Sequence, residues 1–240
     1  TRKTRLGVRQ VGFPQCDLIL LVSFGQRYGD VIMAREVIPS GAALGADVRG
    51  IDFSLPLSAD DKAFVQQAWN DHLVLRFQDQ DLEDEDLIRM ADDFGGSQVA
   101  GSRQYYINAG YDTKSGRVSR LPGITIVSNL DKDGKPEKAN SGTGSSELLW
   151  HTDNSYVDNP PKGSILYGIQ VPINGGGDTS FVNQYETYDA LSEAMKKRLL
   201  TLHIRHDNSR NTAGGTRPTA KRPETREDVE GPVHPMVRKH

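Results

Sequence analysis

Residues 150–183 read WHTDNSYVDNPPKGSILYGIQVPINGGGDTSFVN. A histidine and an aspartate, His151 and Asp153, stand two apart beside apolar residues that suit a strand over 147–152. In a strand, residues i and i+2 share a face. The pattern therefore predicts that His151 and Asp153 project together while Thr152 points away. A neutral imidazole and a carboxylate on one face make two neighbouring corners of an octahedral metal site. One more histidine would complete the two-histidine, one-carboxylate set that holds Fe(II) with three positions open. The pair alone also fits a polar rim in which His151 simply hydrogen-bonds Asp153.

Outward from this stretch, the periodicities predict short strands bracketed by helices. Ser58 opens a helix in SADDKAFVQQAWNDH, with acids in the first turn and Phe64, Val65, Ala68 and Trp69 on one face. HLVLRF follows as a strand over 72–77. LEDEDLIRMADDFG reads as a second helix with Leu87, Met90, Ala91 and Phe94 as its stripe and Gly95 at its end. Residues 96–122 read as loop, 123–130 as strand and 131–146 as a polar loop. Strands are expected again over 163–171 and 178–183. A third helix is expected in YETYDALSEAMKKRLLTL, with Tyr188, Leu191, Met195 and Leu199 on one face. Residues 207–232 are polar and rich in Gly and Pro, the composition of a long binding loop or lid. The class expected is mainly β with helices, a β-sandwich or jelly roll.

Composition narrows the function classes. The chain has 240 residues and a net charge of −3, with no basic signature for nucleic acid or an anionic membrane surface. Its single cysteine, Cys16, excludes an internal disulfide framework and a cysteine-based zinc cluster. The longest apolar run, Leu18–Val22, is far short of the ~20 residues that span a bilayer. A soluble cytoplasmic protein acting on small molecules is the expectation. The first 32 residues, opening on the basic TRKTRLGVRQ, differ in character from the chain after Met33. They suit either a leader outside the fold or a terminal extension, with the domain proper over 33–240.

The 150–183 stretch resembles the TauD/TfdA family of Fe(II)- and 2-oxoglutarate-dependent dioxygenases. GAALGADVRGIDFSLPLS, WNDHLVLRFQDQ and MADDFG upstream are similar to the same family in the same order. The resemblance implies a double-stranded β-helix, the jelly roll of the clavaminate synthase-like proteins. It makes His151 and Asp153 the catalytic metal ligands and gives Thr179, in GGGDTSF, a hydrogen bond to the distal carboxylate of 2-oxoglutarate. A threonine there also suits a strand for its shape alone. The implied reaction consumes O₂, converts 2-oxoglutarate to succinate and CO₂, and hydroxylates a small organic acid, such as a sulfonate or an aryloxy acid. Asp153 speaks against the halogenating relatives, which lack the carboxylate ligand.

The family pattern also needs a second metal-binding histidine well downstream and, beyond it, an arginine for 2-oxoglutarate. GPVHPMVRKH resembles the segment that precedes the strands carrying both, so the fold is expected to be incomplete at the C-terminus, with His234 and His240 outside the ligand set. His203 and His206, in LHIRHD, receive no ligand role from the resemblance. The alternative function is then an inactive fragment that serves as a binding module. A hydrolase reading fails because GTGSS is out of register with a nucleophile elbow. Candidate substrate contacts are Asn129, Tyr105, Tyr106 and Arg103, the last suited to an anion, and each is equally suited to a surface or core role. A symmetric homo-oligomer would be unsurprising.

Overall fold

The computed structural model describes residues 8–24, 34–101, 103–114, 118–128, 149–170, 178–211, 215–217 and 219–239. Its centre is a six-stranded sheet. The antiparallel pair β2 (Glu36–Pro39) and β3 (Ala46–Arg49) is joined by a turn in which Gly41 and Gly45 take φ of 76° and 99°, conformations that favour glycine. The turn is closed by Ser40, whose N–H donates to the Gly45 carbonyl at 2.9 Å and whose hydroxyl donates to the Leu44 carbonyl at 2.7 Å. β3 lies parallel to β4 (Val74–Gln80). β4 lies parallel to β1 (Val8–Phe24), which also pairs with β5 (Ile124–Val127) and β6 (Pro161–Gly168). The register of β1 on β6 turns back on itself: Val8 to Phe13 face Gly168 down to Gly163, and Leu18 to Ser23 face Gly163 up to Gly168.

Helix α1 (Ala59–His72) starts where Ser58 accepts the Asp61 N–H, and Val65, Ala68 and Trp69 form its buried face. It ends at Leu73, forced to φ 66° as its N–H closes on the Trp69 carbonyl at 2.8 Å. Helix α2 (Asp84–Asp93) begins with a reciprocal box in which the Glu83 N–H donates to Asp86 at 2.8 Å. It stops where the Gly96 N–H returns to the Ala91 carbonyl at 2.9 Å, with Gly95 and Gly96 both at positive φ. The two helices meet in the core through an edge-to-face contact of Trp69 and Phe94, and Phe53 packs the same way on Phe77. Two buried polar groups are satisfied inside this core. The Gln80 amide accepts from the Phe53 N–H and donates to the Ile51 carbonyl, and the Tyr167 hydroxyl of β6 joins the Leu82 N–H to the Gln80 carbonyl.

Several expectations need correction. The described part of 147–152 is irregular, as is 178–183, so neither stretch forms a strand. The loop over 96–122 contains a short helix, α3 (Arg103–Asn108). The third helix is two pieces, α4 (Gln184–Asp189) and α5 (Glu193–Leu199), because Ser192 takes the Met195 N–H and restarts the helix as a cap. The expected stripe survives only in part, with Met195 exposed. His203 lies on β7 (His203–Arg205), antiparallel to β8 (Val233–Pro235). Among the described residues, no helix is long and apolar enough to cross a membrane.

Candidate metal centre

His151 and Asp153 do come together, though by a different route from the shared face of a strand. They lie in an irregular segment that turns at Asn154, where φ is 51° and the Val157 N–H donates to the Asn154 carbonyl at 3.1 Å. His151 Nε2 stands 3.3 Å from Asp153 Oδ1, and the two side chains are 35% and 36% exposed. The other oxygen, Asp153 Oδ2, accepts from the hydroxyl of Ser164 at 3.1 Å. Ser164 is buried on β6, so the sheet holds the carboxylate by its far oxygen and turns the near one toward the imidazole.

The imidazole is oriented from its other side. His151 Nδ1 lies 2.7 Å from the Leu149 carbonyl. A carbonyl can only accept, so Nδ1 carries the proton, and in the neutral ring Nε2 presents a lone pair. That lone pair faces a carboxylate oxygen. Two acceptors at this distance repel unless a proton or a cation lies between them. The hydrogen bond to Asp153 accordingly raises the His151 pKa above its ordinary value, with the Leu149 carbonyl and the Asp153 charge adding to it and burial opposing. An ion with affinity for imidazole nitrogen and carboxylate oxygen meets the same need, and the pair fits two positions of such an ion. Among the described residues, no group of three or more His, Cys, Asp and Glu side chains converges to hold a metal.

The remaining candidates are dispersed. Thr179 is exposed on the irregular 178–183 segment, with no hydrogen bond to His151 or Asp153. Asn129 and His240 lie outside the described residues. Arg103 donates to the Ser119 carbonyl at 2.6 Å, which ties its guanidinium to the loop. Tyr106 packs edge-to-face on Tyr111. Tyr105 donates to the Asn208 carbonyl at 3.4 Å, which brings the 207–217 segment toward α3. His234 Nε2 lies 3.0 Å from the Val157 carbonyl, so this nitrogen carries a proton and is turned away from a ligand role. Its neighbour His206, 5.3 Å away between ring centroids, has its pKa lowered first by burial and then by the charges of His234 and Arg238.

Four residues that sequence patterns did not single out belong to this region. Ser164 holds Asp153, and its one signal was a hydroxyl just before the apolar pair Ile165 and Leu166. Tyr156 donates to Asn154 Oδ1 at 2.8 Å. Gly101 lies against that pair: a methyl group there would stand 2.7 Å from the Tyr156 hydroxyl. Arg217 places its guanidinium 4.4 Å from the centroid of the Tyr156 ring. Nothing local in a polar loop marks Arg217 for this contact.

Comparison with known proteins places the chain in a family. The family described as "Taurine catabolism dioxygenase TauD, TfdA family" matches residues 36–240. Pentalenolactone F synthase of Streptomyces avermitilis is 31% identical over 169 residues, covering 69% of this chain and 50% of that protein. An alkylsulfatase of Acinetobacter baylyi is 31% identical over 172 residues, 71% of this chain and 46% of its own length. The alpha-ketoglutarate-dependent 2,4-dichlorophenoxyacetate dioxygenase of Cupriavidus pinatubonensis is 28% identical and covers 84% of this chain and 68% of its own. The first two show that the chain spans about half the length of curated relatives it matches. The crystal structure of AAD-2 in complex with Mn(II) and N-oxalylglycine aligns over 87% of this chain and 70% of that one, with a TM-score of 0.54 and 24% identity, so the two share a fold.

Proposed function

This chain belongs to the TauD/TfdA dioxygenase family, and from that premise we propose that it carries the first two metal ligands of an Fe(II)- and 2-oxoglutarate-dependent dioxygenase acting on a small organic acid. The observation that supports this reading is the pair of facing acceptors, His151 Nε2 and Asp153 Oδ1, with the imidazole proton committed to Leu149 and the second carboxylate oxygen to Ser164. When bound, the iron would supply O₂ activation coupled to oxidation of 2-oxoglutarate to succinate and CO₂. The protein's part is to hold the two donors. Leu149 sets the imidazole tautomer, and Ser164 keeps the carboxylate from rotating away. Thr179 belongs to the same proposal as a hydrogen-bond donor to 2-oxoglutarate, with the double-stranded β-helix as the whole fold and a third ligand supplied from beyond the described residues. The substrate class, an anionic sulfonate or aryloxy acid, is taken from the printed names of relatives such as the phenoxypropionate, dichlorophenoxyacetate and sulfonate dioxygenases.

The test is anaerobic addition of Fe(II), ascorbate and 2-oxoglutarate, beside a His151→Ala control. A weak visible charge-transfer band that requires His151, followed by succinate on admitting air, is the expected result. Iron binding without succinate would leave the alternative, a binding module without turnover. No iron binding at all would overturn the assignment of the pair.

A further inference from the structure

The geometry points to Arg217 as the residue that takes the oxyanion group of the substrate, with Tyr156 and Tyr105 as the walls that hold its guanidinium. The inference rests on the dioxygenase reading for the word substrate, while the anion site itself stands on separate observations. The Arg217 guanidinium lies 4.4 Å from the Tyr156 ring centroid and 5.7 Å from that of Tyr105. Both tyrosines are themselves fixed, Tyr156 through Asn154 and Tyr105 through the Asn208 carbonyl. The backbone of Arg217 is tied down as well, its N–H donating to the carbonyl of buried Ser209 at 2.7 Å. The cation is therefore positioned from three directions.

It is positioned without a counter-charge. No carboxylate forms an ion pair with Arg217 among the described residues, and its Nε is buried without a hydrogen-bond partner. Aromatic rings attract a guanidinium through its faces, whereas its N–H donors all lie in its plane. The Tyr156 hydroxyl also hydrogen-bonds the guanidinium, yet Nε–H keeps no partner. A buried donor left unsatisfied costs about 1–3 kcal/mol. Because Nε has no open surface, an oxyanion would meet the guanidinium at its terminal N–H groups, supplying the missing counter-charge through charge-assisted hydrogen bonds. The site adjoins the metal pair. Tyr156 stands three residues after Asp153 in the same turn, its hydroxyl bonded to Asn154, the residue next to Asp153. A small acid held at Arg217 would present its organic part in the neighbourhood of His151 and Asp153.

A structural role alone, in which Arg217 only pins the 207–217 segment on Tyr156, makes a different prediction about charge. The experiment titrates the full chain with phenoxyacetate and with its neutral counterpart phenoxyacetamide, by calorimetry or ligand-observed NMR. Phenoxyacetate is expected to bind roughly tenfold or more tightly than the amide. Arg217→Gln is expected to erase that preference, and Arg217→Lys, which keeps the charge but loses the fork, to retain part of it. Equal binding of acid and amide by the unmodified chain, or no binding of either, overturns the inference even if the variants fail to fold. So does a Gln variant that keeps the preference. A variant that loses 2-oxoglutarate while keeping phenoxyacetate also overturns it, because the arginine would then serve the cosubstrate. Succinate formation on the same preparations tests the dioxygenase reading separately.

Discussion

Residues 46–94 and residues 178–239 are built on different principles. The first stretch supplies almost the whole core, from Ala46 and Val48 through Trp69, Leu75 and Phe77 to Leu87, Met90 and Phe94. From later in the chain, Ile124, Ile165 and Tyr167 join it. In the second stretch Ser209 is the one buried residue among those described. Apolar burial holds the first region, whereas caps, turns and a three-residue ladder hold the second. The His151–Asp153 pair lies between them and borrows from the first: Ser164, on a strand whose neighbours are in the core, fixes Asp153. The difference teaches that the precision of the His151–Asp153 pair comes from the packed sheet, while the polar region brings Arg217, His206 and His234 alongside.

That contrast can be broken by substitution. Trp69→Ala is expected to lower stability by about 3–5 kcal/mol in urea denaturation, the cost of emptying a large buried site. Met195→Ala on exposed α5 should stay within about 0.5 kcal/mol; a similar loss at both positions would erase the distinction. Ser164→Ala sharpens the link between the regions. It should weaken Fe(II) binding about 10- to 100-fold, as loss of a group orienting a ligand does, while far-UV dichroism stays unchanged. Unaltered metal affinity would mean that Asp153 holds its place without the sheet. Ser58→Ala removes the α1 cap and should cost about 1 kcal/mol in the same denaturation assay.

The smallest effect concerns pH. Asp47 accepts a two-pronged hydrogen bond from Arg76 at 2.6 and 2.8 Å, which lowers its pKa below the ordinary aspartate value. A folded pKa below the unfolded one contributes stability above the unfolded value, and that contribution is lost as pH falls through the folded one. Both side chains are partly exposed, so Asp47→Asn should cost no more than about 1 kcal/mol at neutral pH. The difference between the two proteins should vanish in acid below the aspartate range. A difference that persists there would mean the pair acts through packing and not through charge.

Local signals were strong where local physics decides. Ser58, the acids after it and the apolar stripe announced α1, and Gly95 marked the end of α2, because caps and burial periodicity act within a few residues. The helix expected over 185–202 contained its own contrary signal in Ser192, a cap residue inside the apolar pattern. The strand assigned to 147–152 was misread for another reason. Its apolar residues Leu149 and Trp150 are exposed, so the alternation recorded no buried face.

The sequence by itself determined the two best-packed helices, the pairing of His151 with Asp153 and the family to which the chain belongs, since each rests on residues close together in the chain. Only the tertiary structure decided which oxygen of Asp153 faces the imidazole, which nitrogen of His151 faces Asp153, and that Arg217 sits on Tyr156. Those facts depend on Leu149, Ser164 and Tyr156 meeting partners across turns and sheet pairings, and no short window of sequence encodes a contact between residues whose separation is closed only by folding.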